Sequence, residues 1–488
     1  MKYILATVFL ASIVLSLSIH AAETKIPLHA GVAETDITPP EGFPMAGYYH
    51  ERLANGQHDP LKAKAIVFRQ GETSAAFVVA DLTGIARDLC VEVRRLASAK
   101  TGIAEKHIVV SATHSHTAPD YTGRLYEFLA GDNESREIQP YASNLVNGIV
   151  TAIVAANEAA QPVTITAGSA EQTFPVSFNR RFVMKDGTVR TWQRLDNPDV
   201  VRAAGPIDPE ITLLTIRDAK DDAPRGVLSN FALHLDTVGG QQWSADYPYY
   251  IEQALRKKLG DDVVSVFGIG ACGDINHSDP SRTERNKTDV IGNSLGATIE
   301  AAVPTLASVA STELQVRTAT VSFPLQDVTQ VQLDRAVELI PAAKAGEKVD
   351  FFDLVGAYKA IMLDQLHNKP PIVPASEFLS WGLSHNWAGV GDALPVEVTT
   401  MTIGTEVALV FLPGEVFVDL GLAIKRGSPY RTTFVIELSN CVETIYIPTR
   451  AAYAGGSYEV TNSTGQPGNG EMLVEAALKL LRESASAK

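Results

Sequence analysis

Two histidines one residue apart, His114 and His116, follow the β-branched run Ile108 to Ala112, which reads as a buried strand. Pro119 and Asp120 then break the backbone into a loop. Side chains at i and i+2 of a strand share a face, so imidazoles at this spacing could share a metal, and neutral imidazole is a common zinc ligand. Because the chain holds 11 histidines, the pair taken alone fits a hydrogen-bonded, non-functional arrangement equally well. Other chemistry-bearing residues have the same placement. His234 ends the run Val227 to Leu233, Glu415 follows Val407 to Leu412, and Asp81 and Asp274 also come after apolar runs. Functional residues of α/β sheets collect beyond strand ends, where loops escape the packing demands of the core. A His/His/Glu set with one open position is a zinc hydrolase arrangement, and zinc lowers the pKa of bound water to about 7. Singly, His234 could be a satisfied core histidine and Glu415 a first-turn acid favoured by the helix dipole. Together they point to a site.

The elements that must position these residues alternate in type. Gly31 begins a short strand that ends in a proline-enforced turn, Lys64 to Phe68 and Ala75 to Ala80 are strands, and Arg87 to Ala99 has helical periodicity. Gln139 to Ala160 reads as a long helix with Pro140 in its first turn and Tyr141, Leu145, Ile149, Ile153 and Val154 on one stripe. A strand, Val163 to Ala167, precedes a segment from Ser177 to Glu210 that reads as irregular and polar. Ile211 to Ile216, Val227 to Leu233 and Val263 to Phe267 are further strands, the last running into the glycine-rich loop Gly268 to Asp274. Val328 to Leu366 reads as two helices around a charged turn. Phe351, Leu354, Val355, Tyr358, Ile361 and Met362 share a side of the second, as core or as a lid or lipid-touching face. Strands at Val396 to Ile403, Val407 to Leu412 and Thr433 to Leu438, with helices at Val416 to Lys425 and Glu471 to Leu481, complete the pattern. With no linker rich in Pro, Gly or Ser, the expected fold is α/β: mixed β-sheets flanked by helices in a single large domain, residues 22–488.

Residues 1–21 read as a secretory signal peptide: Lys2, an apolar run from Tyr3 to Ile19, and small residues after it. Once it is removed, no stretch is long and apolar enough to cross a bilayer, and the expected location is secreted or periplasmic. Cleavage takes the formal charge from −15 to −16, because Lys2 is the only charged residue removed. That acidity argues against nucleic acid and against electrostatic docking on anionic lipid. Cys90, Cys272 and Cys441 are widely spaced; export permits a disulfide among them, but spacing selects no pair.

Five segments, in order, resemble the catalytic domain of the neutral/alkaline non-lysosomal ceramidases. Thr113-His-Ser-His-Thr117 looks like that family's Thr-His-Thr-His-Ser, Asn179-Arg180 like its Asn-Arg-Ser-Pro, and Asn230-Phe-Ala-Leu-His234 like its Trp-Phe-Ala-x-His. Pro413-Gly-Glu415 matches its Pro-Gly-Glu, and Tyr446 through Tyr453 to Tyr458 resembles its Tyr-x-Thr-Thr-x-Glu-Glu-Tyr segment. The resemblance implies zinc held by His114, His234, Glu415 and Tyr446, with His116, Arg180 and Tyr458 orienting and polarising an amide carbonyl. It implies an N-acyl lipid such as ceramide, or another small amide, as substrate. The same zinc site acting on a different amide or ester, or a secreted binding protein without turnover, are the alternatives. There are two departures. The family's Gly-Asp-Val-Ser-Pro-Asn, whose serine has been proposed as a nucleophile, is here Gly273-Asp-Ile-Asn-His-Ser278, placing Asn276 at the serine position. Characterised members also carry a C-terminal immunoglobulin-like domain, which this chain is expected to lack.

Overall fold

The strand Lys62–Gln70 shows how the molecule is layered. Its side chains alternate between two faces, and both are apolar. Ala63, Ala65 and Val67 belong to one core cluster, while Ile66 and Phe68 belong to another. A strand of this kind must be covered on both sides. The computed structural model, which describes residues 26–130, 140–374 and 386–486, supplies both covers.

The large sheet is mixed. From one edge it runs Val264–Ile269, Pro224–Phe231, Glu210–Asp218, Gln161–Glu171, His29–Asp36, Lys62–Gln70, Thr73–Ala80 and Ile108–Ala112, with Ala307–Ser308 added beside Gln161–Glu171. The two end pairs are parallel. A smaller sheet, ordered Leu314–Pro324, Ala393–Ile403, Val407–Phe411 and Thr432–Ile436, packs against its inner face. There Phe77 of one sheet meets Phe411 of the other at 5.0 Å between ring centroids. Helices Arg87–Thr101, Pro140–Glu158, Tyr247–Leu259 and Thr288–Ala302 cover the outside of the large sheet. Helices Gln330–Lys344, Phe351–His367, Val418–Gly427 and Asn469–Ser486 cover the smaller one. The four layers run helix, sheet, sheet, helix.

The long helix lies close on its sheet. Tyr141, Leu145, Ile149 and Ile153 are buried as its stripe requires, and Gly31 leaves room for it: a Cβ there would lie 2.0 Å from the Ala156 carbonyl oxygen. The stripe on Phe351–His367 is core from Leu354 onward, whereas Phe351 itself is 40% exposed.

Two sequence expectations are corrected. The segment from Ser177 to Glu210 is not irregular throughout, since Val189–Thr191, Arg181–Met184 and Val200–Ala203 form a three-stranded sheet. Strands of three or four mixed residues are too short for alternation to show. Glu415 is not a first-turn helical acid: it lies in the two-residue strand Glu415–Val416, and the helix begins at Val418. The signal-peptide residues fall outside the described ones. All three cysteines are buried and free. No helix among the described residues is long and apolar enough to cross a membrane.

Candidate metal centre

His114, His116 and His234 converge. The Nε2 atoms of His114 and His234 lie 3.0 Å apart, and that of His116 lies 3.2 Å from His114 Nε2. The route differs from the strand-alternation argument. The strand ends at Ala112, and His114 has left-handed backbone, φ 75°, so a turn rather than a pleat aims its ring. His234 likewise lies beyond its strand, which ends at Phe231. Glu415 completes the group, its Oε2 being 3.4 Å from His114 Nε2 and 3.5 Å from His234 Nε2.

The donor chemistry of this set fits a metal. His114 Nδ1 donates to the Thr83 carbonyl at 2.6 Å and His234 Nδ1 to the Cys272 carbonyl at 3.2 Å. With each proton held on Nδ1, two Nε2 lone pairs face one another, which is repulsive unless a cation lies between them. Glu415 Oε2 is buried and has no hydrogen-bond partner. A buried acceptor left unmatched costs about 1–3 kcal/mol, so two opposed imidazoles and an unmatched carboxylate oxygen are together compatible with a cation site.

Electrostatics agree. Burial, reinforced by the Arg180 charge, pushes the His234 imidazole well below its usual range, keeping it neutral. Burial pushes His116 down to about 4, against the pull of Asp236. His114 runs the other way: burial lowers it, but the Glu415 carboxylate outweighs that and raises it. Burial raises Glu415 in turn, and the charge on His114 more than offsets this.

Tyr446 stands opposite Glu415 in a short parallel ladder. Its hydroxyl accepts from Arg180 Nη2 at 3.1 Å, while Arg180 Nη1 lies 3.4 Å from His234 Nε2. Arg180 is fixed by Glu459 Oε1 at 2.8 Å and the Gly273 carbonyl at 2.8 Å. The Tyr458 ring meets that of Tyr446 edge-on at 5.5 Å, and burial pushes its phenol up to about 12, so it remains a donor at neutral pH. The seven residues singled out from the sequence thus lie together. Asp81 and Asp274 do not join them as ligands. Asp81 accepts from Lys62 N and Thr113 Oγ1, and Asp274 joins Asn179 Nδ2 at 2.7 Å to Val418 N at 2.9 Å, tying loops together.

Sequence reasoning missed the supports. Glu459 is fully buried between Arg180 and Arg181. The Arg52 guanidinium holds the carbonyls of Ala46, His116 and Gly240, and Tyr48 donates to Asp236 beside His116. No spacing rule marks them; a buried charge is visible only once folded. The backbone is also strained here. Left-handed residues stand immediately before three of the site residues: Gly414 before Glu415, Ile445 before Tyr446 and Ser457 before Tyr458. Trp192, bonded through its N–H to the Arg180 carbonyl at 2.8 Å, is left-handed too, with φ 60°. Each non-glycine case costs about 1–3 kcal/mol, which the surrounding contacts must offset.

Residues 28–276 match the family model described as neutral/alkaline non-lysosomal ceramidase, N-terminal. Neutral ceramidase from Pseudomonas aeruginosa is 28% identical over 232 residues, covering 46% of this chain and 32% of that protein. Neutral ceramidase B from Dictyostelium discoideum is 25% identical over 255 residues, covering 50% of this chain and 34% of that protein. The matched stretch is therefore about a third of the length of each curated relative. Among solved structures, the crystal structure of the Pseudomonas aeruginosa neutral ceramidase superposes with a TM-score of 0.68 at 20% identity, covering 94% of this chain and 75% of that one. A ceramidase complexed with C2 gives 0.67 at 20% identity, with 94% and 76% covered. These two likenesses show a shared fold.

Proposed function

Because the chain belongs to the neutral/alkaline non-lysosomal ceramidase family, we propose that it is a zinc-dependent hydrolase of linear amides, with ceramide or a related N-acyl lipid as substrate. The observation that carries this is the opposed pair of Nε2 lone pairs on His114 and His234 beside the unpartnered Glu415 Oε2. His114, His234, Glu415 and Tyr446 would hold the zinc. When bound, zinc supplies the Lewis acidity that makes water a nucleophile near neutral pH.

The chain's own residues do the rest. Arg180, cationic and pinned by Glu459, Gly273 and Tyr446 through Nε and Nη2, would offer Nη1 to a carbonyl oxygen as negative charge develops on it. Tyr458, still protonated, adds a phenolic donor. His116, which burial keeps neutral, lies 3.2 Å from His114 Nε2 and would help orient the amide carbonyl, with Asp236 3.9 Å from its Nδ1. Asn276 has no ionisable hydroxyl, and its Oδ1 accepts from Ser278 N at 3.1 Å. We therefore assign the attack to water. The absence of the family serine also keeps a second reading in view, the same site acting on a different amide or ester. The proposal includes export, residues 1–21 being the signal.

Turnover of a panel of N-acyl amides and esters by protein carrying stoichiometric zinc tests the proposal. Release of fatty acid from ceramide is the expected result. Hydrolysis of esters alone would transfer the reading to its alternative. Stoichiometric zinc with no turnover of any member would leave a binding protein.

A further inference from the structure

An aromatic wall leads from solvent to the metal centre. Trp192, immediately after the strand Val189–Thr191, is 49% exposed, and its ring lies 4.8 Å from that of Tyr458. Phe351, at the start of its helix, is 40% exposed, stacks on Tyr458 at 5.8 Å with 18° between planes, and meets Trp192 at 6.1 Å. Tyr49 closes the back, 5.7 Å from Phe351. Core packing does not account for exposed rings drawn from separate chain segments. Nor does a relaxed backbone, since Trp192 holds a conformation that bulky residues avoid. It is bolted there: its N–H reaches the Arg180 carbonyl, and Thr191 bonds Ser457 Oγ and Glu459 Oε2. The backbone of Trp192 is therefore tied to the backbone of Arg180 and, through Thr191, to Glu459, which also holds the Arg180 guanidinium.

We propose that Trp192 and Phe351 determine specificity by seating the acyl chain of the substrate; this rests on the amide-hydrolase reading above. Tyr458 belongs to both regions, its ring to the wall and its position to the Tyr446 and Arg180 group. The Tyr458 ring thus links Arg180, 5.8 Å away, to Trp192 at 4.8 Å and Phe351 at 5.8 Å, so a chain leaving a carbonyl held at Arg180 along this ring meets both. The cation selects the acyl side. After hydrolysis the carboxylate stays with Arg180, which lies 5.5 Å from the Tyr446 ring and 5.8 Å from the Tyr458 ring, and the alkyl chain attached to it runs out along the wall.

Octanoate and butanoate share a head group, so their affinities for the zinc-loaded protein isolate the chain. Calorimetry should give octanoate about a tenfold preference, since four added methylenes would be partly covered. Trp192→Gly and Phe351→Ala should each cut that preference to about twofold. Octanoate should also shift the tryptophan fluorescence of the wild type and not that of Trp192→Phe. Glycine tolerates the left-handed backbone, so Trp192→Gly should keep its thermal midpoint. An unchanged chain-length preference in both variants overturns the proposal. So does intact preference with lost binding to phosphatidylcholine vesicles, which would assign the wall to a membrane surface. Octanoate selectivity without turnover of any amide would uphold the wall and sink the hydrolase reading. Amide turnover indifferent to acyl length in the wild type would do the reverse.

Discussion

The two imidazoles proposed to hold the metal, His114 and His234, are oriented by what their far nitrogens touch. The Thr83 and Cys272 carbonyls hold the Nδ1 protons of His114 and His234, which frees both Nε2 atoms. We expect His114→Ala, His234→Ala and Glu415→Ala each to lose stoichiometric zinc while keeping native circular dichroism. Wild-type protein purified without chelator and found metal-free would count against the set. Chelation should lower the wild-type thermal midpoint and added zinc restore it, because a ligand held at a hundred times its Kd adds about 2.7 kcal/mol. Asn276 separates two routes of attack. If water attacks, Asn276→Ala lowers activity modestly and product appears without a burst. If a side chain attacks, Ser278 is the hydroxyl nearby in this loop. Ser278→Ala would then be dead yet zinc-loaded, and the wild type would release amine in a burst before acid. Pre-steady-state product release decides.

At the scale of elements, backbone close approach sets where the loops end. The helix Pro140–Glu158 lies against the strand His29–Asp36 because Gly31 has no side chain. Gly31→Ala would drive a methyl into the Ala156 carbonyl, and backbone cannot swing aside as a side chain can. The expected loss is at or above the upper end of the about 1–3 kcal/mol range for overpacking. Urea unfolding measures it, and a loss below about 0.5 kcal/mol would show that the helix shifts freely. The parallel ladder of Glu415 with Tyr446 is an element of another kind. Two residues of pairing stabilise little by themselves; the left-handed links at Gly414 and Ile445 bring carboxylate and phenol abreast.

At the scale of the whole molecule, buried carboxyls give stability a pH dependence. Burial raises Glu443 from an ordinary 4.5 to about 7, although the Arg87 and Val442 N–H groups donate to it. The native state therefore holds this proton more tightly than the unfolded chain, so the contribution is complete below pH 4.5 and is lost as pH rises through 7. Glu443→Gln should flatten the decline between those values. Thermal midpoints of both proteins across the window check it, and parallel curves would refute it. Asp81, Asp246 and Asp274, each raised to about 6 mainly by burial, leave part of the decline in place. The sequence by itself determined what depends on near neighbours. The strand Ile108–Ala112 and the helix stripes follow from period and composition, and the site residue types could be matched to a family in chain order. Tertiary structure decided what depends on distant ones. His114 meets His234 across 120 positions of chain, and Glu459 is a buried clamp only because Arg180 and Arg181 fold against it. No local pattern would put Trp192 or Ile445 in left-handed backbone, because the contacts that offset that strain come from segments far along the chain.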